Sequence, residues 1–176
     1  MLTSPSGMRR ILGIDPGSRI TGYGIIASDG IRSVHVESGC IRVSFEEFPL
    51  RLGEIYREIS AVIERYDPEE VAIEQVFMAK NAASALKLGQ ARGAAICAAV
   101  MAGLPVSEYT PRMIKQSVVG TGSADKEQIQ HMMKHILGLD QKLTADQADA
   151  LAVALSHAHA TSTRGRILAA GRGRFS

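Results

Sequence analysis

Apolar residues first gather in three short runs, 9–15, 21–28 and 33–43, parted by "PGS" and "SDG". Runs of this length with tight polar links predict three strands that pair antiparallel. The period then changes. Leu52, Ile55, Ile59, Val62, Ile63 and Tyr66 recur at three- and four-residue spacing, which predicts a helix that "DPEE" ends. "VAIEQV" at 71–76 reads as a fourth strand, residues 82–102 as an alanine-rich helix and "PVSEYT" as a fifth strand. Residues 111–119 suit a short helix. Ile129, Met132, Met133, Ile136 and Leu137 mark another, with Ser123 as its expected opening residue. A last helix begins near Thr144 and runs through "ADALAVALSHA".

A hairpin meander followed by strand–helix–strand units predicts an α/β fold: a five-stranded mixed sheet, its first three strands antiparallel, flanked by helices. The right-handed crossover rule sets the fourth strand beside the first and parallel to it. No internal repeat and no second domain interrupts the pattern.

Composition narrows the class. The chain has 176 residues, 45% hydrophobic and 22% charged, enough for one domain with a real core. No apolar run reaches the roughly 18 residues that a membrane helix needs. The opening "MLTSPSGMRR" lacks the apolar centre of a signal peptide, so residues 1–7 read as a flexible extension, with Met8 as a second candidate start. Two cysteines, Cys40 and Cys97, suit a reducing cytoplasm better than a disulfide framework. Residues 161–176 carry four arginines and no acid. Subtracting those four from the 20 basic residues leaves 16 against 18 acidic ones, so residues 1–160 are net −2. The basic tail is either a frayed, solubilising end or an arm for a phosphate backbone. The expected globular domain is therefore 8–160.

Asp15 ends an apolar strand, where a lone buried carboxylate costs several kcal/mol unless it is paired or binds a cation. Glu74 repeats the oddity after Val71, Ala72 and Ile73. If the first and fourth strands are parallel neighbours, the two acids stand side by side. Asp146 and Asp149, three residues apart in "TADQADALAVAL", share one helix face. Singly, each has a plain role: turn residue, exposed strand end, helix cap, favourable first-turn charge. The box Thr144-x-x-Gln147 serves equally well as that cap. Jointly they form repelling charges in need of a cation. Hard oxygen ligands without Cys or His suit Mg²⁺ or Mn²⁺. Two such ions about 3.5–4 Å apart drive in-line phosphodiester hydrolysis. His131 and His135, four apart, lack the glutamate of a zinc-protease helix.

Four blocks, "ILGIDPGSRITGYG", "AIEQVFMAKNAASALKLGQARG", "IKQSVVGTGSADK" and "ADQADALAVALSHAH", resemble in content and order those of the RuvC family of bacterial Holliday-junction resolvases. The resemblance spans roughly residues 8–160. It implies a ribonuclease-H-like fold and a homodimer that makes paired, symmetric nicks in four-way DNA junctions during recombination and repair. It implies Mg²⁺ as cofactor, two ions per site with Mn²⁺ as a substitute, held by Asp15, Glu74, Asp146 and Asp149. It gives Lys115 and Lys126 contacts to DNA phosphates and gives Phe77 insertion near the junction crossover. It makes residues 82–102 the dimer helix, with Ala91, Gly93, Ala94, Ala95, Ala98 and Ala99 allowing close approach, against the alternative of a helix buried in its own monomer. It names RuvA and RuvB as partners and implies no membrane. "GIDPGSRITGYG" also resembles the first phosphate loop of actin-like ATPases and sugar kinases, but those need two such domains and a second loop. A DNA-binding module without catalysis gains nothing from four acids. The ATPase reading is the main rival; a further one, within the same fold, is a nuclease for RNA or another DNA structure, against which the "FMAKNA" block speaks.

Overall fold

The computed structural model describes residues 7–76 and 81–172, with side chains as far as residue 162. Its elements are β1 (Arg9–Asp15), β2 (Ile20–Ser28), β3 (Ser33–Arg42), α1 (Phe48–Tyr66), β4 (Glu70–Glu74), α2 (Ala82–Met101), β5 (Val106–Tyr109), α3 (Pro111–Val119), α4 (Lys126–Leu137) and α5 (Ala145–Arg172). The strand order is β3-β2-β1-β4-β5. β1–β2 and β2–β3 are antiparallel, β1–β4 and β4–β5 parallel, so the meander and the crossover fall where the apolar pattern sets them.

Strand alternation sends side chains to opposite faces of the sheet. Leu12, Ile14, Ile25, Val71 and Ile73 pack with α1 and α2, where Ile55 and Ile59 are fully buried. Ile11, Ile26 and Ala72 face the other way, toward α3, α4 and α5. Helix α5 lies over the centre of the sheet and is enclosed by α3 and α4, so its residues 150–155 are buried all round. An encircled helix has no polar stripe to display. The backbone of residues 161–172 continues this helix beyond the apolar pattern, into the stretch that the arginines mark as a tail.

Caps explain most of the helix boundaries. Asp67 ends α1 in the left-handed region, φ 48°, and its N–H donates to the Ile63 carbonyl. Thr144 and Gln147 form the expected box at the start of α5. Ser123 does not open α4. Asp125 does, because only from there does a glutamine, Gln128, fall three residues on and close a reciprocal box.

Helix α2 requires a correction. Ala91, Ala95, Ala98 and Ala99 are buried in their own monomer against the sheet and α1, so their small size serves intramolecular packing. The face left outward carries Leu86, Gly89, Cys97, Val100 and Met101, with Gly93 half-buried beside them.

At the base of the sheet, the Glu70 carboxylate binds both His157 and Arg9. With Nε2–H given to Glu70, His157 Nδ1 accepts the Tyr109 hydroxyl at 2.7 Å. This chain stitches β1, β4 and β5 to α5.

Candidate active site

Two carboxylates come from strand ends. The parallel register pairs Ile14 with Ile73, so Asp15 and Glu74 follow as lateral neighbours at the top of β1 and β4. Period-two alternation puts Asp15 on the α5 face with Ile11 and Gly13. Gly13 lies so near α5 that a Cβ there would sit 2.1 Å from the Ala150 carbonyl oxygen. Bare backbone beneath the helix therefore brings the first turns of α5 down beside Asp15. Asp149 then lines the same cavity of about 290 Å³ as Asp15, Glu74, Lys115, Lys126 and Asp125. Asp146, one turn earlier, stands outside that lining, though its charge still acts on Asp15 and Asp149.

The cavity is electrostatically loaded. Burial, followed by the charges of Glu74 and Asp149, pushes the Asp15 carboxyl up to about 8. A carboxyl of that kind stays protonated at neutral pH and donates to its neighbour. Burial also raises Glu74, opposed by the hydrogen bond from Asp15 and by the charges of Lys126 and Lys115. Asp149 is raised by burial, against the pull of Lys126, whose Nζ is 3.7 Å from Asp149 Oδ2. Crowded acids that prefer protons are a store of repulsion that a cation relieves.

The donor set fits a hard divalent ion: oxygen only, with lysines at the rim for an anionic ligand. Among the described residues, no three acidic, histidine or cysteine groups converge on one cation-sized point. The fit is thus one of donor chemistry and placement.

Asp15, Glu74 and Asp149 line one cavity, with Asp146 one turn away outside it, and Lys115 and Lys126, singled out by the resemblance alone, line the same cavity. Phe77 lies outside the described residues. Three features escaped the sequence reading. The first is Gly13 with Gly22 as the floor under α5, signalled by the glycine spacing in "GIDPGSRITGYG". The second is Asp125, a helix cap that also lines the cavity. The third is Arg92, whose Nε–H donates to the Glu74 carbonyl at 3.0 Å; no motif announces a bond to main chain.

Comparison with known proteins gives a consistent picture. The family model described as crossover junction endodeoxyribonuclease RuvC matches residues 11–157. A crossover junction endodeoxyribonuclease RuvC of Photobacterium profundum is 59% identical over 172 residues, 96% of this chain and 99% of that one. Its counterpart in Vibrio cholerae serotype O1 is 58% identical over the same shares. The Thermus thermophilus RuvC solved in complex with a Holliday junction substrate superposes with a TM-score of 0.82 at 36% identity, covering 88% of this chain and 96% of that one. The yeast mitochondrial resolvase Ydc2, at 12% identity and a TM-score of 0.66 over 88% of this chain and 79% of its own, shares the fold.

Proposed function

The chain belongs to the RuvC family of crossover junction endodeoxyribonucleases, and on that premise we propose that its acid-lined cavity cuts four-way (Holliday) DNA junctions. The observation that carries this reading is one cavity lined at once by Asp15, Glu74 and Asp149 and by Lys115 and Lys126. A phosphodiester needs both kinds of group: cations that accept its charge and carboxylates that organise its hydrolysis.

Asp15, Glu74, Asp146 and Asp149 are the proposed ligands of two Mg²⁺ ions, replaceable by Mn²⁺. Such ions activate the attacking water and stabilise the leaving oxygen. The protein's own groups do the rest. Lys115 and Lys126 draw the DNA backbone to the rim by charge. Lys126 offsets Asp149 until a phosphate competes for it. Burial strips water from Asp15 and Glu74, so once a cation takes the place of the Asp15 proton their charges would act through a poor dielectric. Phe77, just past Glu74, is the proposed aromatic at the junction crossover.

Symmetric paired nicks need two sites on one junction, and a homodimer with twofold symmetry supplies them. The outward apolar face of α2, with Leu86, Val100 and Met101 exposed, supports that helix as the contact. RuvA and RuvB are the proposed partners in recombination and repair. The proposed setting is the cytoplasm; among the described residues no helix is long and apolar enough to cross a membrane.

The test is a synthetic four-way junction incubated with and without Mg²⁺. Wild type should yield nicked duplexes only with the metal. Asp15→Asn, Glu74→Gln, Asp146→Asn and Asp149→Asn should each bind the junction and leave it uncut. A linear duplex or an RNA cut as fast as the junction refutes the reading.

A further inference from the structure

Glu74 is the final residue of β4, where the sheet gives way to the connection into α2. The peptide after it is tied to β5, since Gln75 N–H donates to the Tyr109 carbonyl at 2.8 Å. The Glu74 carbonyl itself accepts from a side chain, Arg92 Nε–H at 3.0 Å. The same guanidinium gives a terminal N–H to Glu108 Oε2 of β5 at 2.5 Å, and the arginine side chain is 18% exposed. Beside it lies a cavity of about 500 Å³ lined by Gln75, Val76, Leu86, Gly89, Arg92 and Glu108. Among the described residues, Arg92 is a side chain of α2 that reaches across beside this cavity to the strand end that carries Glu74.

We propose that Arg92 is a positioning residue for the Glu74 carboxylate. It approaches from α2, on the face of the sheet opposite α5. It holds the Glu74 main chain from behind, so that the side chain is presented to the acid cavity. Glu108 aims the guanidinium by occupying its second arm. The planar fork suits this task, because two partners at fixed angle are satisfied by one rigid, permanently charged group. A lysine ammonium in its place gathers its donors on one nitrogen at the end of a flexible stem and lacks the fixed fork. The arrangement also adds a polar tie between the acid cavity and α2, beside the packing of Val71 and Ile73 against that helix. The inference rests on the proposed reading of this cavity as the cutting site.

The experiment uses the full chain and a fluorescent four-way junction. Arg92→Lys, Arg92→Gln, Glu108→Gln and Glu74→Gln are compared with wild type. Three quantities are measured: junction affinity, single-turnover cleavage rate against Mg²⁺ concentration, and the melting shift that Mg²⁺ or Mn²⁺ induces without DNA. Groups that orient a metal ligand typically contribute 10–100-fold to affinity or activity. Both Arg92 variants should therefore cut about tenfold or more slowly, need about tenfold more Mg²⁺ for half-maximal rate, and show a smaller metal-induced melting shift. Junction affinity should stay within about twofold, and Glu108→Gln should move each quantity the same way by less. Arg92 variants with the wild-type Mg²⁺ midpoint and melting shift overturn the proposal. So does a rate loss matched by an equal loss of junction affinity, which makes Arg92 a DNA contact. If the Arg92 variants fail to fold, Glu108→Gln decides, since it keeps the arginine and alters a half-exposed carboxylate. An unchanged midpoint in that variant is then the overturning result. Glu74→Gln separates the two readings. If it cuts normally, the site assignment itself falls; if it is inactive while the Arg92 variants behave as wild type, only the positioning role falls.

Discussion

A Cβ placed on Gly22 would sit 2.2 Å from the carbonyl oxygen of Asp146. Gly22 is also the antiparallel partner of Asp15. The first turn of α5 thus rests on naked β2 backbone beside the first catalytic candidate, and with Gly13 this missing Cβ lets the helix acids approach the strand acids.

Gly22→Ala must push that turn away, because a backbone oxygen has no rotamer to yield. Overpacking of this kind costs about 1–3 kcal/mol. We expect chemical denaturation to show that loss and junction cutting to fall by more than the stability loss explains. Gly53→Ala is the control. Gly53 lies exposed in α1 with nothing near its Cβ position, so alanine should stabilise by about 0.5–1 kcal/mol. A Gly22→Ala protein with wild-type stability and rate contradicts the close approach.

Asp15 should make the metal-free protein less stable as pH rises. Its folded pKa, about 8, lies above the ordinary 3.8. The folded state then holds the proton more tightly than the unfolded chain. Its stabilising effect is complete below pH about 4 and is lost as pH climbs through about 8. Melts in chelator across that window should decline for wild type and stay flatter for Asp15→Asn, which should melt higher at pH 8. Millimolar Mg²⁺ or Mn²⁺ should raise wild type, by about 2.7 kcal/mol at a hundredfold excess over Kd, and raise the mutant much less. A mutant that melts lower in chelator and responds equally to metal makes Asp15 a turn residue.

The two faces of α2 should behave differently. Ala95 is fully buried in its own monomer, so Ala95→Glu should unfold the protein by burying an unpaired charge. Val100 is 57% exposed, so Val100→Glu should fold normally and sediment as a monomer that no longer makes paired cuts. Sedimentation of both, with circular dichroism for fold, is the check. A folded Val100→Glu dimer would move the subunit contact off this face.

Lys115→Ala and Lys126→Ala should each lower the slope of log junction affinity against log salt by roughly 0.9, if each neutralises one phosphate. Lys126→Ala carries a second expectation. Lys126 pulls the Asp149 pKa down, so its loss should raise that carboxyl further and shift the pH–rate profile upward. Unchanged slopes in both variants would leave these lysines as neighbours of the acids alone.

The chain's own pattern was sufficient for the five strands, for the antiparallel meander of β1, β2 and β3 and for β4 parallel beside β1, and it singled out Asp15, Glu74, Asp146 and Asp149 as candidates; the place of β5 beside β4 came from the structure. Those features are local or nearly so: alternation marks strands, three-and-four spacing marks helices, and one chirality rule places β4 beside β1. An acid at the end of an apolar run is conspicuous for the same reason. The tertiary structure alone decided which side of each element meets which neighbour. Ala91, Ala95, Ala98 and Ala99 read equally as subunit contact or core until α1 and the sheet occupy them. Ser123 and Asp125 both suit a cap, and only the folded loop selects the one whose glutamine closes the box. Arg92 was invisible because its partner is the Glu74 carbonyl, and every residue has a carbonyl. The floor under α5 was hidden likewise, since a glycine records only that a Cβ is missing, while the oxygen of Asp146 that needs the space lies more than a hundred residues away along the chain.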